Sequence, residues 1–404
     1  MAINTDPEKI KEVLERGIEQ VVNKNNLLKK LKSGKKLRIK LGVDPTGPKI
    51  HIGRAIQLWK LKAFQDLGHQ IVFIVGDFTG KIGDASDKQS IRKPLTDKDI
   101  KKNLKNYKKQ IGKILDMKKV EFHYNSEWSK KLKLQDFLSV AMNFTAQQMI
   151  QRRNFKERWD NGKPIGLHEL SYPILQGYDS VMIKADVEIG GYDQLFNLKT
   201  GRDMQRIFKQ KPQDIMVSKM LYGLDNRKMS TSWGNVINIL DKAEDMYGKI
   251  MSMKDELILH YFELTTQLPL AKIADIKKNL KTKKLNPKDA KTMLAKEIIS
   301  IYHNKKAGDI AEKKFNRIFK EKKIPLKIPY FKTSQKSLPI LDLLLITKLS
   351  SSKKEGKRLI EQGGVSMKIK NEETKIKDWQ ENIKIENGMV LQVGKRKFVK
   401  IIIK

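Results

Sequence analysis

The segment KLRIKLGVDPTGPKIHIGRAIQLWKLKAFQDLGHQIVFIVGDF (36–78) decides the fold of this chain. Residues 36–43 alternate apolar and polar side chains as a strand does, and the Pro and Gly residues of 44–49 predict a turn. A helix with one apolar stripe follows from Gly53 and ends at Gly68. Residues 69–78 are an almost continuous apolar run, which is typical of a strand buried on both faces. Strand, turn, helix and buried strand form a βαβ unit and predict an α/β fold with a doubly wound parallel sheet.

The flanking sequence extends this unit into a larger domain. Residues 5–32 carry apolar side chains at helical spacing and predict an amphipathic helix. Strand patterns recur at 120–125 and 180–191, and a largely helical, basic region lies between them. We therefore expect a Rossmann-like domain over residues 1–245, with an inserted region at about 126–165.

The C-terminal part predicts two further domains. Residues 246–320 show helical patterns and almost no strand signal, and Asn286 with Pro287 suits the start of a helix. Two prolines and many lysines at 321–337 predict a linker. Residues 338–404 predict a small α/β unit, in which a Ser-capped helix is followed by a β-hairpin.

Composition narrows the range of partners. The 404 residues include 83 Lys plus Arg against 46 Asp plus Glu, a formal net charge of +37, which favours a polyanion such as nucleic acid. The alternative is a lysine-rich host proteome. Cysteine is absent, which excludes disulfides and thiolate metal sites. With no secretory signal and no apolar window long enough for a bilayer, we expect a cytoplasmic protein without a membrane partner.

Two short motifs suggest an anion site. His51-Ile52-Gly53-Arg54 stands at the start of the first predicted helix, where free N–H groups and the positive end of the helix dipole bind anions and Gly53 permits close approach of a nucleotide. KMSTS (228–232) lies in a polar loop roughly 180 residues later, where a lysine and hydroxyl groups suit a polyphosphate. Taken singly, the first motif is better explained by an ordinary capped helix and the second by a solvated loop.

Together the two motifs resemble the HIGH and KMSKS signatures of class I aminoacyl-tRNA synthetases. That resemblance implies that the Rossmann-like domain is catalytic, activating an amino acid with ATP and transferring it to tRNA. It also implies ATP with Mg²⁺ as a substrate complex and no tightly bound protein metal.

A third group of residues bears on the identity of the amino acid. Tyr172, Gln176 and Asp179 stand at i, i+4 and i+7 of a predicted helix and therefore share one face. The stretch resembles the tyrosine-binding helix of tyrosyl-tRNA synthetases. The resemblance implies that Tyr172 and Gln176 hold the substrate amino group, while Asp179 accepts a hydrogen bond from the tyrosine hydroxyl. Phenylalanine would leave that buried acceptor unpaired.

Other segments resemble the same family and complete the expected site. The resemblance implies tyrosine contacts from Asp84, Tyr172, Gln176, Asp179, Gln194 and Lys40. It implies ATP contacts from Gly42, Asp44, Thr46, His51, Gly53, Gly191, Asp193 and Lys228. The side chains expected to act at the reacting phosphates are His51, Arg54, Lys88, Arg92, Lys228, Ser230 and Ser232.

Two regions of the sequence indicate RNA as a partner. Residues 338–404 resemble an S4-type RNA-binding domain, which implies contact with tRNA(Tyr); a solvated basic face is the alternative. The family further implies a homodimer through the inserted region. Four basic side chains of that region could meet the tRNA acceptor stem or form a solvated face: Arg152, Arg153, Lys156 and Arg158.

Three positions depart from the family pattern. Arg54 stands where His or Asn is usual, and it keeps a donor and a positive charge. Lys40 stands where the better-known branch has a Tyr that touches the substrate hydroxyl, although a second branch carries Lys. Tyr192 replaces a small residue. Two rival functions remain: a tryptophanyl-tRNA synthetase, and a catalytically weak homologue that only binds RNA, for which Arg54 is the best support.

Overall fold

A computed structural model of the chain describes residues 2–84, 94–319, 328–369, 372–394 and 397–403. The chain divides into two compact units, Met1–Lys305 and Lys306–Lys404. The finer domain boundaries expected near residues 245 and 337 remain predictions.

A six-stranded sheet forms the centre of the first unit. Its strands are β1 (Ile18–Val22), β2 (Arg38–Val43), β3 (Gln70–Val75), β4 (Val120–Tyr124), β5 (Val187–Gly191) and β6 (Asp214–Ser218). The spatial order is β1-β6-β5-β2-β3-β4, and only β1 runs antiparallel to its neighbour. The order along the chain reverses between β2 and β5, and ligands bind beyond the carboxyl ends of strands at such a switch point. The predicted doubly wound sheet is confirmed.

Helices connect and cover these strands. Those of the first unit are α1 (Pro7–Glu15), α2 (Lys24–Lys32), α3 (Ile52–Asp66), α4 (Asp97–Leu104), α5 (Tyr107–Ile111), α6 (Ser126–Ser129), α7 (Leu134–Ala141), α8 (Ala146–Ile150), α9 (Arg153–Asp160), α10 (Leu167–Met182), α11 (Leu195–Ile207), α12 (Ala243–Ser252), α13 (Ile258–Thr265), α14 (Leu270–Lys281) and α15 (Pro287–Tyr302). Helices α6 to α9 occupy the predicted inserted region, which is helical as expected. Asn286 accepts a hydrogen bond from the Lys288 N–H and begins α15 as predicted.

Two secondary-structure predictions in this unit were wrong. The single helix predicted over 5–32 is interrupted, because Gly17 at φ 63° turns the chain after α1 and the following residues pair as β1 with β6. Asn23, also at positive φ, then leads into α2. The strand predicted over 180–191 begins only at Val187, since residues up to Met182 continue α10.

The second unit combines a small sheet with short helices. Its elements are α16 (Lys305–Phe319), β7 (Tyr330–Thr333), β8 (Ser337–Pro339), α17 (Ile340–Ile346), α18 (Lys353–Glu361), β9 (Val365–Ile369), β10 (Glu372–Lys375), β11 (Asn382–Lys384), β12 (Val390–Val393) and β13 (Lys397–Ile403). Ser352 accepts a hydrogen bond from the Glu355 N–H and caps α18, and β12 pairs antiparallel with β13, as predicted. Within the described residues, no helix of either unit has the length and apolarity needed to cross a bilayer.

The linker predicted over 321–337 is partly wrong. Its residues 330–333 form β7, which pairs in parallel with β13, and Ser337 begins β8, which pairs with β11. These strands are short and their partners lie tens of residues away. Local periodicity therefore carried no signal for them.

Candidate active site

The first motif lies at the carboxyl edge of the sheet, where the loop after β2 meets α3. His51 precedes α3, and its Nδ1 accepts a hydrogen bond from the Arg54 backbone N–H at 3.3 Å. Arg54 Nη2 donates to Thr46 Oγ1 at 2.6 Å. Burial, followed by the charge of Arg54, lowers the pKa of His51 to about 3. His51 is therefore neutral at neutral pH, so it can donate a hydrogen bond but cannot act as a cation.

The second motif packs directly against the first. The Ile52 N–H donates to the Ile237 carbonyl at 2.9 Å, which joins the start of α3 to the chain that follows the KMSTS loop. A Cβ on Gly53 would lie 3.1 Å from Met229 Sδ. Glycine at position 53 thus allows the two motifs to approach closely. The structure brings the two motifs together, as the sequence interpretation required.

Lys228 projects from the partly exposed side of this junction. Its Nζ lies 3.6 Å from Asp193 Oδ2, and the two side chains are 40% and 41% exposed. Asn235 holds the loop: its Oδ1 accepts from the Ser230 N–H at 2.8 Å, and its Nδ2 donates to the Lys228 carbonyl at 3.1 Å. The lysine is therefore carried on a fixed backbone with a side chain that solvent reaches.

Two glycines expected at the nucleotide have different surroundings. Gly42, near the end of β2, has open space where a Cβ would stand. A Cβ on Gly191 would lie 2.6 Å from Asp193 Oδ1, so a larger residue there would require the Asp193 side chain to move. Three expected phosphate contacts cannot be placed: Lys88 and Arg92 lie outside the described residues, and so does the side chain of Ser232.

The predicted tyrosine helix is α10, and Tyr172, Gln176 and Asp179 all lie on it. Tyr172 Oη donates to Asp44 Oδ2 at 3.0 Å. Burial and the nearby Asp44 carboxylate raise the pKa of Tyr172, so it remains a neutral phenol. Gln176 Oε1 accepts from Asn197 Nδ2 at 2.9 Å. The helix is thus hydrogen-bonded to the loop after β2 and to α11.

Asp179 is the most enclosed acidic group of the predicted site, with 3% of its surface exposed. Trp128 Nε1 donates to its Oδ1 at 2.8 Å, and Asn125 Nδ2 donates to its Oδ2 at 3.3 Å. Burial raises the pKa of Asp179 to about 7, against the opposing effects of Lys40 and of these two donors. The expected shielding of this carboxylate from solvent is confirmed.

Sequence reasoning missed Asn125 and Trp128 as parts of the site. Asn125 follows β4 directly and Trp128 lies in the short helix α6 after it, at the carboxyl end of a parallel strand. Ligand sites collect at that edge of a doubly wound sheet. The asparagine that ends the predicted strand at 120–125 and the indole three residues later were therefore a usable signal.

Lys40 lies on β2 beneath α10 and is fully buried. Its Nζ lies 2.8 Å from Glu188 Oε1 and donates to Ser180 Oγ at 2.7 Å and to the Gln176 carbonyl at 3.0 Å. An ammonium group has three N–H donors. All three therefore have partners within the protein.

Asp84 links the expected amino-group ligands to the inserted region. Gln194 Nε2 donates to its Oδ2 at 2.6 Å. Arg152 Nη2 forms an ion pair with its Oδ1, and the Arg152 side chain is buried. Asp84 therefore joins Gln194 to the inserted region through a buried ion pair.

The expectation that basic residues of the inserted region meet RNA is corrected for two of them. Arg152 pairs with Asp84, and Arg158, 1% exposed, donates to both oxygens of Glu169 at 3.0 and 2.8 Å. Both guanidinium groups lie near the ring of the buried Phe155. The arginines point inward because each has a buried carboxylate partner, and neither a polyanion nor solvent reaches them. Lys156 is exposed, and the Arg153 side chain lies outside the described residues.

A doubly wound sheet that carries these two motifs, packed together at its carboxyl edge, defines the catalytic unit of a class I aminoacyl-tRNA synthetase. Residues 32–320 match the family described as tRNA synthetases class I (W and Y). Within this class, the chain belongs to the tyrosine–tRNA ligase family.

Full-length relatives support the narrower assignment. The chain is 42% identical over 397 residues to a tyrosine–tRNA ligase of Desulfotalea psychrophila and 44% identical over 402 residues to one of Carboxydothermus hydrogenoformans, with 97% of each chain covered in both cases. A solved tyrosyl-tRNA synthetase from Archaeoglobus fulgidus, in complex with L-tyrosine, shares 22% identity at a TM-score of 0.61 and covers 74% of this chain and 98% of that one. At that identity the solved structure shows the shared fold.

Proposed function

We propose that this chain activates tyrosine with ATP, giving tyrosyl-adenylate and pyrophosphate, and then transfers tyrosine to the 3′ end of tRNA(Tyr). The observation that carries the proposal is the buried Asp179 carboxylate, held by Trp128 and Asn125. A tyrosine side chain would donate its phenolic O–H to this carboxylate. Phenylalanine fits the same space but leaves the acceptor unpaired, which disfavours its binding.

The amino end of the substrate would lie at the other end of the α10 face. Asp84 is an acceptor held by Gln194 and by the buried Arg152, so it can bind an ammonium group. Tyr172 and Gln176 would add neutral partners from α10. Lys40, which the resemblance also assigns to tyrosine, would act on the pocket from beneath this helix.

The chemistry would need placement and charge rather than an acid, base or nucleophile from the protein. A tyrosine carboxylate oxygen attacks the α-phosphorus of ATP in line, and the bond from that phosphorus to the bridging oxygen breaks, so that pyrophosphate leaves with the electron pair. Lys228, with Lys88 and Arg92, would stabilise the developing charge, while neutral His51 would donate a hydrogen bond. The terminal ribose hydroxyl of tRNA then attacks the tyrosyl carbonyl carbon, the bond from that carbon to the phosphate oxygen breaks, and AMP leaves with the electron pair while the hydroxyl proton is released.

ATP would bind as its Mg²⁺ complex at the edge between β2 and β5. The ion would come with the nucleotide as part of the substrate complex. The nucleotide would contact Gly42, Asp44, Thr46, His51, Gly53, Gly191, Asp193 and Lys228. Arg54, Ser230 and Ser232 would support the phosphate end.

The partners proposed are tRNA(Tyr) and a second copy of the chain, in the cytoplasm where tRNA is charged. Leu134, Leu138 and Met142 recur at helical spacing along α7 and its end, and all three are more than half exposed. Such a stripe supports a homodimer through the inserted region. Sedimentation equilibrium of the wild type and of Leu138→Asp would test this, with a dimer and a weakened dimer expected respectively.

Pyrophosphate exchange tests the proposed activity directly. We expect exchange between ATP and labelled pyrophosphate with tyrosine, little with phenylalanine or tryptophan, and charging of tRNA(Tyr). Exchange driven by tryptophan would instead favour a tryptophanyl-tRNA synthetase. Binding of tRNA without exchange for any of the three amino acids would favour a homologue that only binds RNA.

A further inference from the structure

A buried ion pair crosses two central strands directly under the tyrosine helix. Lys40 on β2 and Glu188 on β5 are register partners in neighbouring parallel strands, and their charged atoms lie 2.8 Å apart. Both side chains are buried, at 0% and 1% exposed. Burying two charges is costly even when they pair, so stability alone is a poor reason for such a pair in the middle of a sheet.

The pair contacts α10 on either side of Asp179. Lys40 donates to the Gln176 carbonyl and to Ser180 Oγ. Glu188 accepts from Ser180 Oγ at 3.1 Å and from Gln176 Nε2 at 3.4 Å. Residues 176 and 180 are one helical turn apart, and Asp179 lies within that turn. The ion pair therefore supports the segment that carries the proposed phenol acceptor.

We propose that Lys40 and Glu188 are positioning residues that set amino-acid specificity by supporting the turn of α10 that carries Asp179, and that neither side chain touches the substrate. The inference rests on the proposed function. It assigns Lys40 a role different from a direct tyrosine contact, because every N–H of its ammonium group already has a protein partner.

Lys40 and Glu188 have opposite effects on the pKa of Asp179. Burial is the largest influence and raises its pKa; the Lys40 ammonium lowers that pKa and the Glu188 carboxylate raises it. Trp128 and Asn125 contribute neutral donors from beyond β4, and Tyr172 on α10 is a neutral phenol. Removing the cation should make Asp179 harder to ionise, and removing the neighbouring anion should make it easier.

The test is a pair of variants, Lys40→Met and Glu188→Gln, followed by the pH dependence of kcat/KM for tyrosine in pyrophosphate exchange, which reports ionisations of the free enzyme. We expect the acidic limb of the profile to move up by about one pH unit in Lys40→Met and down in Glu188→Gln. At neutral pH, Lys40→Met should lose about tenfold in preference for tyrosine over phenylalanine, mainly through KM. Glu188→Gln should retain the preference for tyrosine down to a lower pH than the wild type does.

The control is Lys30→Met, which removes an ion pair with the buried Asp214 at the amino end of β6 and should leave the profile in place. Shifts in the same direction, or no shift, in two folded variants would overturn the inference. If Lys40→Met does not fold, Glu188→Gln decides alone: a downward shift supports the inference, while an upward or absent shift overturns it. A wild type without tyrosine exchange would overturn the proposed function first, and this inference with it.

Discussion

The two halves of the candidate site are built differently, although both stand at the same edge of the sheet. On the tyrosine side, Lys40, Asp179 and Glu188 are buried and each is hydrogen-bonded to fixed neighbours. On the nucleotide side, Lys228 and Asp193 are each about two-fifths exposed. Selecting a phenol requires a desolvated acceptor in a set position. Binding a polyphosphate needs reachable positive charge, which an exposed lysine supplies.

The nucleotide half of the site should determine kcat. We expect Lys228→Ala to lower kcat in tyrosine-dependent exchange by about a hundredfold or more, because a cation that stabilises transition-state charge is lost. The KM for tyrosine should change little. Exchange kinetics with each substrate varied in turn would measure both.

A matched lysine outside the site sharpens this prediction. Lys242 is exposed just before α12, and Lys242→Ala should leave kcat as in the wild type. A Lys228→Ala variant that loses tyrosine affinity as much as rate would contradict the division between the two halves.

The tyrosine half of the site should determine which amino acid is activated. Asp179→Asn keeps the shape of the side chain but removes the charge, so kcat/KM for tyrosine should fall by about a hundredfold while that for phenylalanine changes little. Asp214→Asn is the control, because Asp214 is equally buried but pairs with Lys30. Equal losses for tyrosine and phenylalanine in Asp179→Asn would mean that the carboxylate does not read the hydroxyl.

A smaller effect on tyrosine binding is expected from changing Trp128, which contacts Asp179. Trp128→Phe removes the 2.8 Å hydrogen bond to Asp179 Oδ1 and should raise the KM for tyrosine by about tenfold. Trp59→Phe removes an indole hydrogen bond to Tyr302 Oη at 3.2 Å, away from the pocket. That variant should keep the tyrosine KM of the wild type, and a KM change of similar size in both would point to general loosening of the fold.

The smallest effect on activity is expected at Lys60, a buried lysine of α3 whose Nζ donates to the Val13 carbonyl. Burial, and next Arg16, lowers its pKa from 10.5 to about 7. The folded state therefore favours the neutral amine of Lys60. The free-energy cost of burying this lysine decreases as pH rises from about 7 toward 10.5, because the unfolded chain gives up its proton more readily there. Relative to Lys60→Met, the wild type should gain stability across that window, measured by denaturant unfolding.

Exchange activity at about pH 8 should be the same in Lys60→Met and the wild type. A large loss of tyrosine activation in this variant would show that buried charge outside the pocket also sets substrate binding. The contrast between the two halves of the site would then fail.

Local pattern was sufficient for the parts of the fold that depend on neighbours in sequence. The strand–turn–helix of 36–68 and the cap at Asn286 follow from periodicity and from residues beside them. The strand β1 was missed because IEQVV continues a helical pattern, and only Gly17 at positive φ and pairing with β6 end it. Pairing across the sheet is a property of the folded chain.

For the candidate site too, local sequence pattern predicts less where contacts join distant segments. The motifs and the polar face of α10 were visible in sequence, and the structure places them together. The partners of Asp179 and the inward direction of Arg152 and Arg158 depend on contacts between segments far apart in the chain. A basic residue on a helix has the same local signature whether it faces solvent or a buried carboxylate.

The most direct measurement is the ratio of dissociation constants for phenylalanine and tyrosine in the wild type, obtained by calorimetry at about pH 8.5 and about pH 6. Because the pKa of Asp179 lies near 7, the carboxylate is charged at the higher pH and largely protonated at the lower. We predict tyrosine to bind about a hundredfold more tightly than phenylalanine at the higher pH and the ratio to shrink at the lower. Equal affinities, or one ratio at both pH values, would contradict recognition of the phenol by a buried anionic carboxylate.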